Sequence, residues 1–202
     1  MQVSAKDDYM PECGGIGMTW LDKLLQQWRI RMALRALPKG SRVLDIGTHD
    51  GTLFRLGGLT GMGIDPELAD GQTPPGVTLV KGMFPGDMPD LPDGSFDAAT
   101  AAAVFEHVPQ EELADWAAAL ARLVAPSGLV VITVPAAAVD KILHVLMRLR
   151  LVAGMEVHQH HGFEPNDLNA LFSGPLWRRR KHRTFQLGLN HLFVFERTTS
   201  ST

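Results

Sequence analysis

The sequence predicts an α/β fold: a largely parallel sheet, doubly wound by helices on both faces, with an antiparallel hairpin at its C-terminal end. Three observations predict it. Short apolar runs alternate with amphipathic ones from Arg42 to Val134, a glycine-containing turn (Gly47 to Gly51) follows the first run, and two strand-like runs near the end flank Gly188-Leu189-Asn190.

Residues 1–17 carry scattered Gly and Pro without periodicity and read as a loose lead-in. From Thr19 to Leu37 the apolar positions Trp20, Leu21, Leu24, Leu25, Trp28 and Met32 recur at helical spacing, and Pro38-Lys39-Gly40 ends the helix. Residues 1–40 are thus a lead-in and a helix that either lids a site or packs, and 41–202 are the main domain. Arg42 to Ile46 is a short apolar strand interrupted by Asp45. Gly61 to Ile64, Val77 to Val80 and Phe96 to Ala103 read as further strands, the last despite alanine's weak strand preference. Gln110 to Val124 is an amphipathic helix with Leu113, Trp116, Leu120 and Leu123 on one face. Pro126-Ser127-Gly128 turns into Leu129 to Val134, the most strand-like run in the chain. Val139 to Val152 is again helical, and Glu164 to Phe172 is a shorter helix with Pro165 in its first turn. His182 to Leu187 and His191 to Arg197 form the closing hairpin. Strands that alternate with helices need crossover connections, and crossovers put helices on both faces of a parallel sheet.

Composition bounds the partners. With 202 residues, 45% apolar and 20% charged, the chain is an ordinary single globular domain. A net charge of −3 provides no electrostatic case for nucleic acid. Cys13 is the only cysteine, so no internal disulfide forms and a reducing compartment is expected. The opening residues are too polar for a signal peptide, and no apolar run approaches the roughly 20 residues that cross a bilayer. The expected location is cytoplasmic.

The turn after the first strand carries the functional signal. Ligands of open α/β sheets sit beyond the carboxyl ends of the strands, and glycines there let the backbone approach closely. Gly47-Thr48-His49-Asp50-Gly51 lacks the second and third glycines of a dinucleotide fingerprint, since His49 and Thr52 stand there. It also lacks the Gly-Lys-Ser/Thr ending of a phosphate loop. Asp45, two residues before Gly47, resembles the acid of the Asp-x-Gly-x-Gly-x-Gly motif of class I S-adenosylmethionine-dependent methyltransferases. Four more landmarks follow in order: Gly63-Ile64-Asp65-Pro66 closing the second strand, Gly82-Met83-Phe84 after the third, Ser95-Phe96-Asp97 with Phe105-Glu106-His107-Val108 around the fourth, and Pro126-Ser127-Gly128 before the fifth. The resemblance spans Val43 to Pro135 and points to the small-molecule type.

This resemblance implies a Rossmann-like, seven-stranded sheet, S-adenosylmethionine as cofactor, and methyl transfer to O, N or C of a small-molecule acceptor. It implies that Asp45, Gly47, Thr48 and Gly51 line the methionine part of the cofactor, with His49 inside the same loop. It places Asp65 on the ribose with Pro66 beside it. Gly82, Met83 and Phe84 would lie at the adenine, through a backbone amide and apolar contact, and Ala101 and Ala103 near the sulfonium. Two departures stand out: His49 replaces the middle glycine and should crowd the loop, and Met83 stands where an acid often meets the adenine amine.

A base is needed only if the nucleophile arrives protonated. The candidates are Glu106 and His107 after the fourth strand, and His158 and His161 in the run Glu156 to His161. Each has a plainer reading, local packing for Glu106-His107 and a solvated loop for the histidines. A metal role for the latter lacks a matching ligand set. The basic run Arg178 to Arg183 is explained as edge protection of the hairpin, with an anionic acceptor or acidic membrane surface as the alternative. The apolar helix from Val139 could roof a greasy pocket. A catalytically silent binding module remains the competing function. Nucleic-acid methylation lacks support, since Ala101-Ala102-Ala103-Val104 stands where an Asn/Asp-Pro-Pro-Tyr/Phe segment would be. Oligomeric state is not legible.

Overall fold

The computed structural model describes residues 20–136 and 164–199. Its elements are α1 (Trp20–Leu34), β1 (Arg42–Ile46), α2 (Thr52–Gly57), β2 (Thr60–Asp65), β3 (Val77–Lys81), β4 (Phe96–Ala102), a 3-10 turn (Phe105–His107), α3 (Leu113–Leu123), β5 (Val124–Pro135), α4 (Asp167–Leu171), β6 (Trp177–Phe185) and β7 (Asn190–Arg197). The strands form one seven-stranded sheet in the order β3-β2-β1-β4-β5-β7-β6. Contacts from β3 through β5 are parallel, whereas β7 is antiparallel to both β5 and β6. The α/β architecture and its antiparallel end are as the residue pattern predicts.

The sheet buries both faces because its strands carry apolar side chains at successive positions, not only alternate ones. On one face Leu44, Ile46, Met62 and Ile64 meet α3 through Trp116, Leu120 and Leu123, and α4 through Leu168. On the other, Val43, Ala98 and Val131 meet α1 through Ile30, Met32 and Ala33, and α2 through Leu53 and Phe54. The strand β7, with Leu192 to Phe195 all buried, sits inside the sheet, and cationic β6 forms the edge. An edge strand of five Lys and Arg residues has a solvated side for its charges and discourages pairing with another chain.

The element bounds shift in physically ordinary ways. α1 stops at Leu34, because Pro38 restricts the residue before it and Ala36 and Leu37 close tight turns onto Ala33 and Leu34. β5 starts at Val124 and runs through Pro126-Ser127-Gly128, with pairing to β4 broken between Phe96 and Ala98. The expected Glu164–Phe172 helix shortens to one turn-and-a-bit, Asp167–Leu171, since Pro165 and Gly174 bracket it closely. β6 begins at Trp177, five residues before the expected His182, because the arginines find an acidic partner, Glu196, directly across on β7. The helix expected over Val139 to Val152 lies outside the described residues.

One glycine is decisive for the sheet. Gly61, φ 135°, lies on β2 beside β1, where an added Cβ would stand 2.0 Å from the Val43 carbonyl oxygen. Gly61→Ala is expected to cost about 4 kcal/mol or more in urea unfolding, since neither the backbone angle nor the strand spacing can give way. Gly71→Ala, with open space around it, is the control and should be near neutral.

Candidate active site

The strand order reverses direction at β1: the chain moves outward to β2 and β3 on one side, then returns to β4 on the other. Diverging crossovers leave a crevice at the carboxyl ends of β1 and β4. A cleft of about 670 Å³ opens there. Its walls come from Ile46 and Gly47 after β1, Ile64 to Glu67 at the end of β2, Gly82 to Phe84 after β3, Ala103 to Val104 and His107 to Pro109 after β4, and Glu112 and Trp116 of α3. A cleft of this size holds a nucleoside-sized ligand.

The loop after β1 is built from left-handed residues. Gly47, His49 and Gly51 have φ of 75°, 52° and 74°. At Gly47 the requirement is also steric, since a Cβ would lie 2.4 Å from Val104 Cγ2 on the opposite wall. His49 adopts the backbone of the glycine it replaces and points its side chain to solvent. Its N–H donates to Asp65 Oδ2 at 2.8 Å, and its carbonyl accepts from Ala69 N–H at 2.8 Å. The expected crowding by His49 therefore does not arise: the main chain pays with a left-handed angle that histidine tolerates better than most residues. His49→Gly is accordingly expected to leave cofactor affinity within about twofold by calorimetry, the relieved angle and the more flexible unfolded chain acting on stability in opposite senses.

Asp65, the last residue of β2, presents a buried carboxylate to the cleft. Besides His49, its Oδ1 accepts from Glu67 N–H at 2.7 Å. Two backbone N–H groups orient the carboxylate, and a carboxylate has about four acceptor sites, so capacity for two hydroxyl donors remains. Pro66 lies beside it on the cleft wall.

Asp45 stands behind the loop and not on the cleft surface. It is buried and accepts from Thr100 Oγ1 at 2.5 Å, across the β1–β4 pair. Burial pushes its carboxyl up to about 6, partly offset by the Thr100 hydroxyl. The Thr48 hydroxyl nearby also lowers it as a dipole, although Thr48 Oγ1 is buried without a hydrogen bond of ordinary geometry. Thr48 fits only because Gly63 faces it, where a Cβ would come within 2.7 Å. Gly51 begins α2 and faces Leu79 and Pro74 at van der Waals distance. Of the four residues expected along the methionine part, Gly47 alone lines the cleft, and Asp45, Thr48 and Gly51 shape the loop from behind.

The third wall combines Gly82, Met83 and Phe84 with Trp116. The Met83 amide, expected for the adenine, donates to Asp87 Oδ2 at 2.7 Å. Met83 keeps a half-exposed side chain for apolar contact, and buried Phe84 meets the Trp116 ring edge-on at 5.0 Å. Trp116 Nε1 is buried with no hydrogen-bond partner among the described residues. Ala103, φ 60°, lines the cleft, whereas Ala101 is packed in the core under the sheet.

Glu106 and His107 separate sharply. His107 is exposed on the cleft wall. Glu106 is buried, its Oε2 has no hydrogen-bond partner among the described residues, and burial pushes its carboxyl up to about 7 against a hydrogen bond from its own backbone N–H and the charge of Arg29 on α1. His158 and His161 lie outside the described residues. Among the described residues no group of three or more His, Cys, Asp or Glu is placed to hold a metal ion, and no helix is long and apolar enough to cross a membrane.

The cleft is also lined by Ile46, Ile64, Glu67, Val104, Val108, Pro109, Glu112 and Trp116, none of which the sequence marks as a site residue. Trp116 follows the core-facing period of α3, and nothing in that period marks it as a cleft residue too.

A family model described as a methyltransferase domain matches residues 19–174. The chain is a class I S-adenosylmethionine-dependent methyltransferase. None of the curated proteins matches the methyltransferase at the sequence level. Solved structures share its fold. A Burkholderia thailandensis 1,6-didemethyltoxoflavin N1-methyltransferase, bound to its substrate and S-adenosylhomocysteine, is 17% identical with a TM-score of 0.61, over 89% of this chain and 82% of that one. An S-adenosylmethionine-dependent methyltransferase of Mesorhizobium loti is 20% identical with a TM-score of 0.60, over 84% and 98%. A Haloferax volcanii complex of the Trm112 activator with a methyltransferase is 16% identical with a TM-score of 0.64, over 90% and 95%.

The site of this methyltransferase fits its cofactor, S-adenosylmethionine, on its own geometry. The cleft has the volume, Asp65 has spare acceptor capacity on its wall, and Trp116, which lines it, has a buried Nε1 with no hydrogen-bond partner among the described residues. Buried polar groups are nearly always satisfied, so an unpaired N–H on the cleft wall is a point at which a ligand can complete the structure.

Proposed function

We propose that the chain methylates an oxygen, nitrogen or carbon of a small-molecule acceptor, with Asp65 holding the cofactor ribose and Gly47 the methionine part. Pro66, Gly82, Met83, Phe84 and Trp116 form the apolar bed of the adenine, and Ala103 faces the reacting end. The observation that carries this reading is the Asp65 carboxylate, held by two backbone N–H groups at the mouth of the switch-point cleft. Asp45 and Thr48 act as positioning residues that fix the loop carrying Gly47.

When bound, S-adenosylmethionine supplies an electrophilic methyl group on a positively charged sulfur. The protein's part is alignment, exclusion of water, and disposal of a proton when the acceptor carries one. Glu106 suits the last task. With Oε2 unpaired among the described residues and lying behind the cleft wall rather than on it, a carboxyl raised to about 7 takes up a proton near neutrality. His107, on the cleft wall, is placed to orient the acceptor.

The competing silent-module reading drew on a crowded loop and on the lack of a base. The exposed His49 side chain removes the first ground, and the Glu106 carboxyl beside the cleft-lining His107 supplies a candidate against the second. Titration of the full chain with S-adenosylhomocysteine is expected to show one site of micromolar affinity. No heat at millimolar ligand would overturn the reading. Transfer of labelled methyl across a panel of phenols, amines and enolisable carbonyls then identifies the acceptor atom.

A further inference from the structure

A second surface lies at the carboxyl edge of the sheet, beside the cleft. The β6–β7 turn sits there, because Asn190 pairs with Phe185 on one side and with Pro135, the last residue of β5, on the other. At its tip Leu187 is 98% exposed and adopts φ 58°. The left-handed angle serves the hairpin, since Gln186 and Leu187 are the central residues of a turn closed by Gly188 N–H donating to the Phe185 carbonyl, but a leucine side chain so exposed gains nothing from the fold.

Leu187 is not isolated. Gln186 Nε2 donates to the Leu25 carbonyl at 2.9 Å, and Trp28 meets the Phe185 ring at 6.5 Å, so α1 lies against the hairpin. There α1 exposes Leu24 and Trp28, at 48% and 41%, four residues apart on one stripe that continues through exposed Arg31 and Arg35. The cations of β6 adjoin the same face. Lys181 and Arg183 pair in register with Val194 and Leu192, whose side chains face α1. Arg178 and Arg180 spend their charge on Glu196. Lys181 and Arg183 have no ion-pair partner among the described residues.

We infer that this face, built from Leu24, Trp28 and Leu187 with Lys181 and Arg183 beside them, docks on an anionic lipid surface. Exposed aliphatic and indole side chains rimmed by cations match a bilayer interface, where apolar groups enter and cations meet lipid phosphates. The chemistry disfavours the other occupants. A nucleic acid offers nothing to the exposed aliphatic side chains of Leu24 and Leu187. A second copy would bring two cationic β6 strands together. Docking here turns the edge that carries the cleft toward the lipid.

The test is co-sedimentation of the full chain with extruded vesicles, either phosphatidylcholine alone or an equal mixture with phosphatidylglycerol. Binding to the mixed vesicles only, weakened at about 0.5 M salt, is expected. Leu187→Asn should weaken it about tenfold, while asparagine suits the left-handed angle and leaves folding stability the same or higher. Lys181→Gln or Arg183→Gln should each weaken it about fivefold. S-adenosylhomocysteine affinity should stay unchanged in all three variants, which keeps this outcome separate from that of the cofactor site. Absent or composition-blind sedimentation, RNA binding without vesicle binding, or dimerisation lost in Leu187→Asn without vesicle binding would each overturn the inference.

Discussion

Asp65→Ala is expected to weaken S-adenosylhomocysteine binding by about 1–3 kcal/mol, or five- to over a hundredfold, by calorimetric titration. The lost interaction has two parts. The carboxylate no longer receives the ribose hydroxyls, and the N–H groups of His49 and Glu67 lose the acceptor that holds them at 2.8 and 2.7 Å. The second part loosens the loop that carries Gly47, so some loss of unfolding stability should accompany the loss of affinity. Asp65→Asn separates the two. Its amide oxygen still accepts one backbone N–H, but its NH₂ cannot accept the other, so affinity should fall between that of the parent and the alanine variant. An affinity within twofold of the parent for Asp65→Ala would place the ribose elsewhere.

Glu106→Gln is expected to change the pH dependence of both stability and activity. The folded carboxyl titrates at about 7 against an ordinary 4.5, so the native state holds its proton more tightly than the unfolded chain. The stability this group contributes is fully present below about 4.5 and is lost as pH rises through 7, by about 3 kcal/mol in all. Glutamine mimics the protonated acid and never ionises. The variant should therefore match the parent near pH 4 and exceed it in urea unfolding at pH 8 by up to about 3 kcal/mol. Asp45, raised to about 6, titrates in both proteins and cancels in the comparison. Methyl transfer to a protonated acceptor should rise through pH 7 in the parent and be flat and about 100-fold lower or more in the variant. Identical stability curves for the two proteins would show that Glu106 is not kept buried. Identical activity profiles would remove it from the reaction.

The two predictions differ in how much of each residue was legible. Asp65 was readable from its place after Gly63-Ile64, at the end of an apolar strand one βα unit past Asp45. Its hydrogen-bond partners were not: the His49 and Glu67 amides depend on the path of two loops around the strand end. Glu106 was readable only as one of several candidates, because a Glu-His pair after a strand looks the same whether it is packed, solvated or reactive. Its burial depends on Phe105, α3 and α1, which are brought together from distant parts of the chain.

Alone, the sequence determined the alternation of strands and helices, the order of the cofactor landmarks, and the glycines whose backbone angles the loop requires. Those are local properties, encoded in spacing and in the steric freedom of single residues. Tertiary structure decided that β7 inserts between β5 and β6, that His49 turns outward, that Asp45 faces Thr100 and not the cleft, and that Trp116 lines it. Each of these is settled by partners far apart in the chain, as with Asp45 and Thr100 at 55 residues. A periodic pattern says that a side chain is buried, but only packing decides against what.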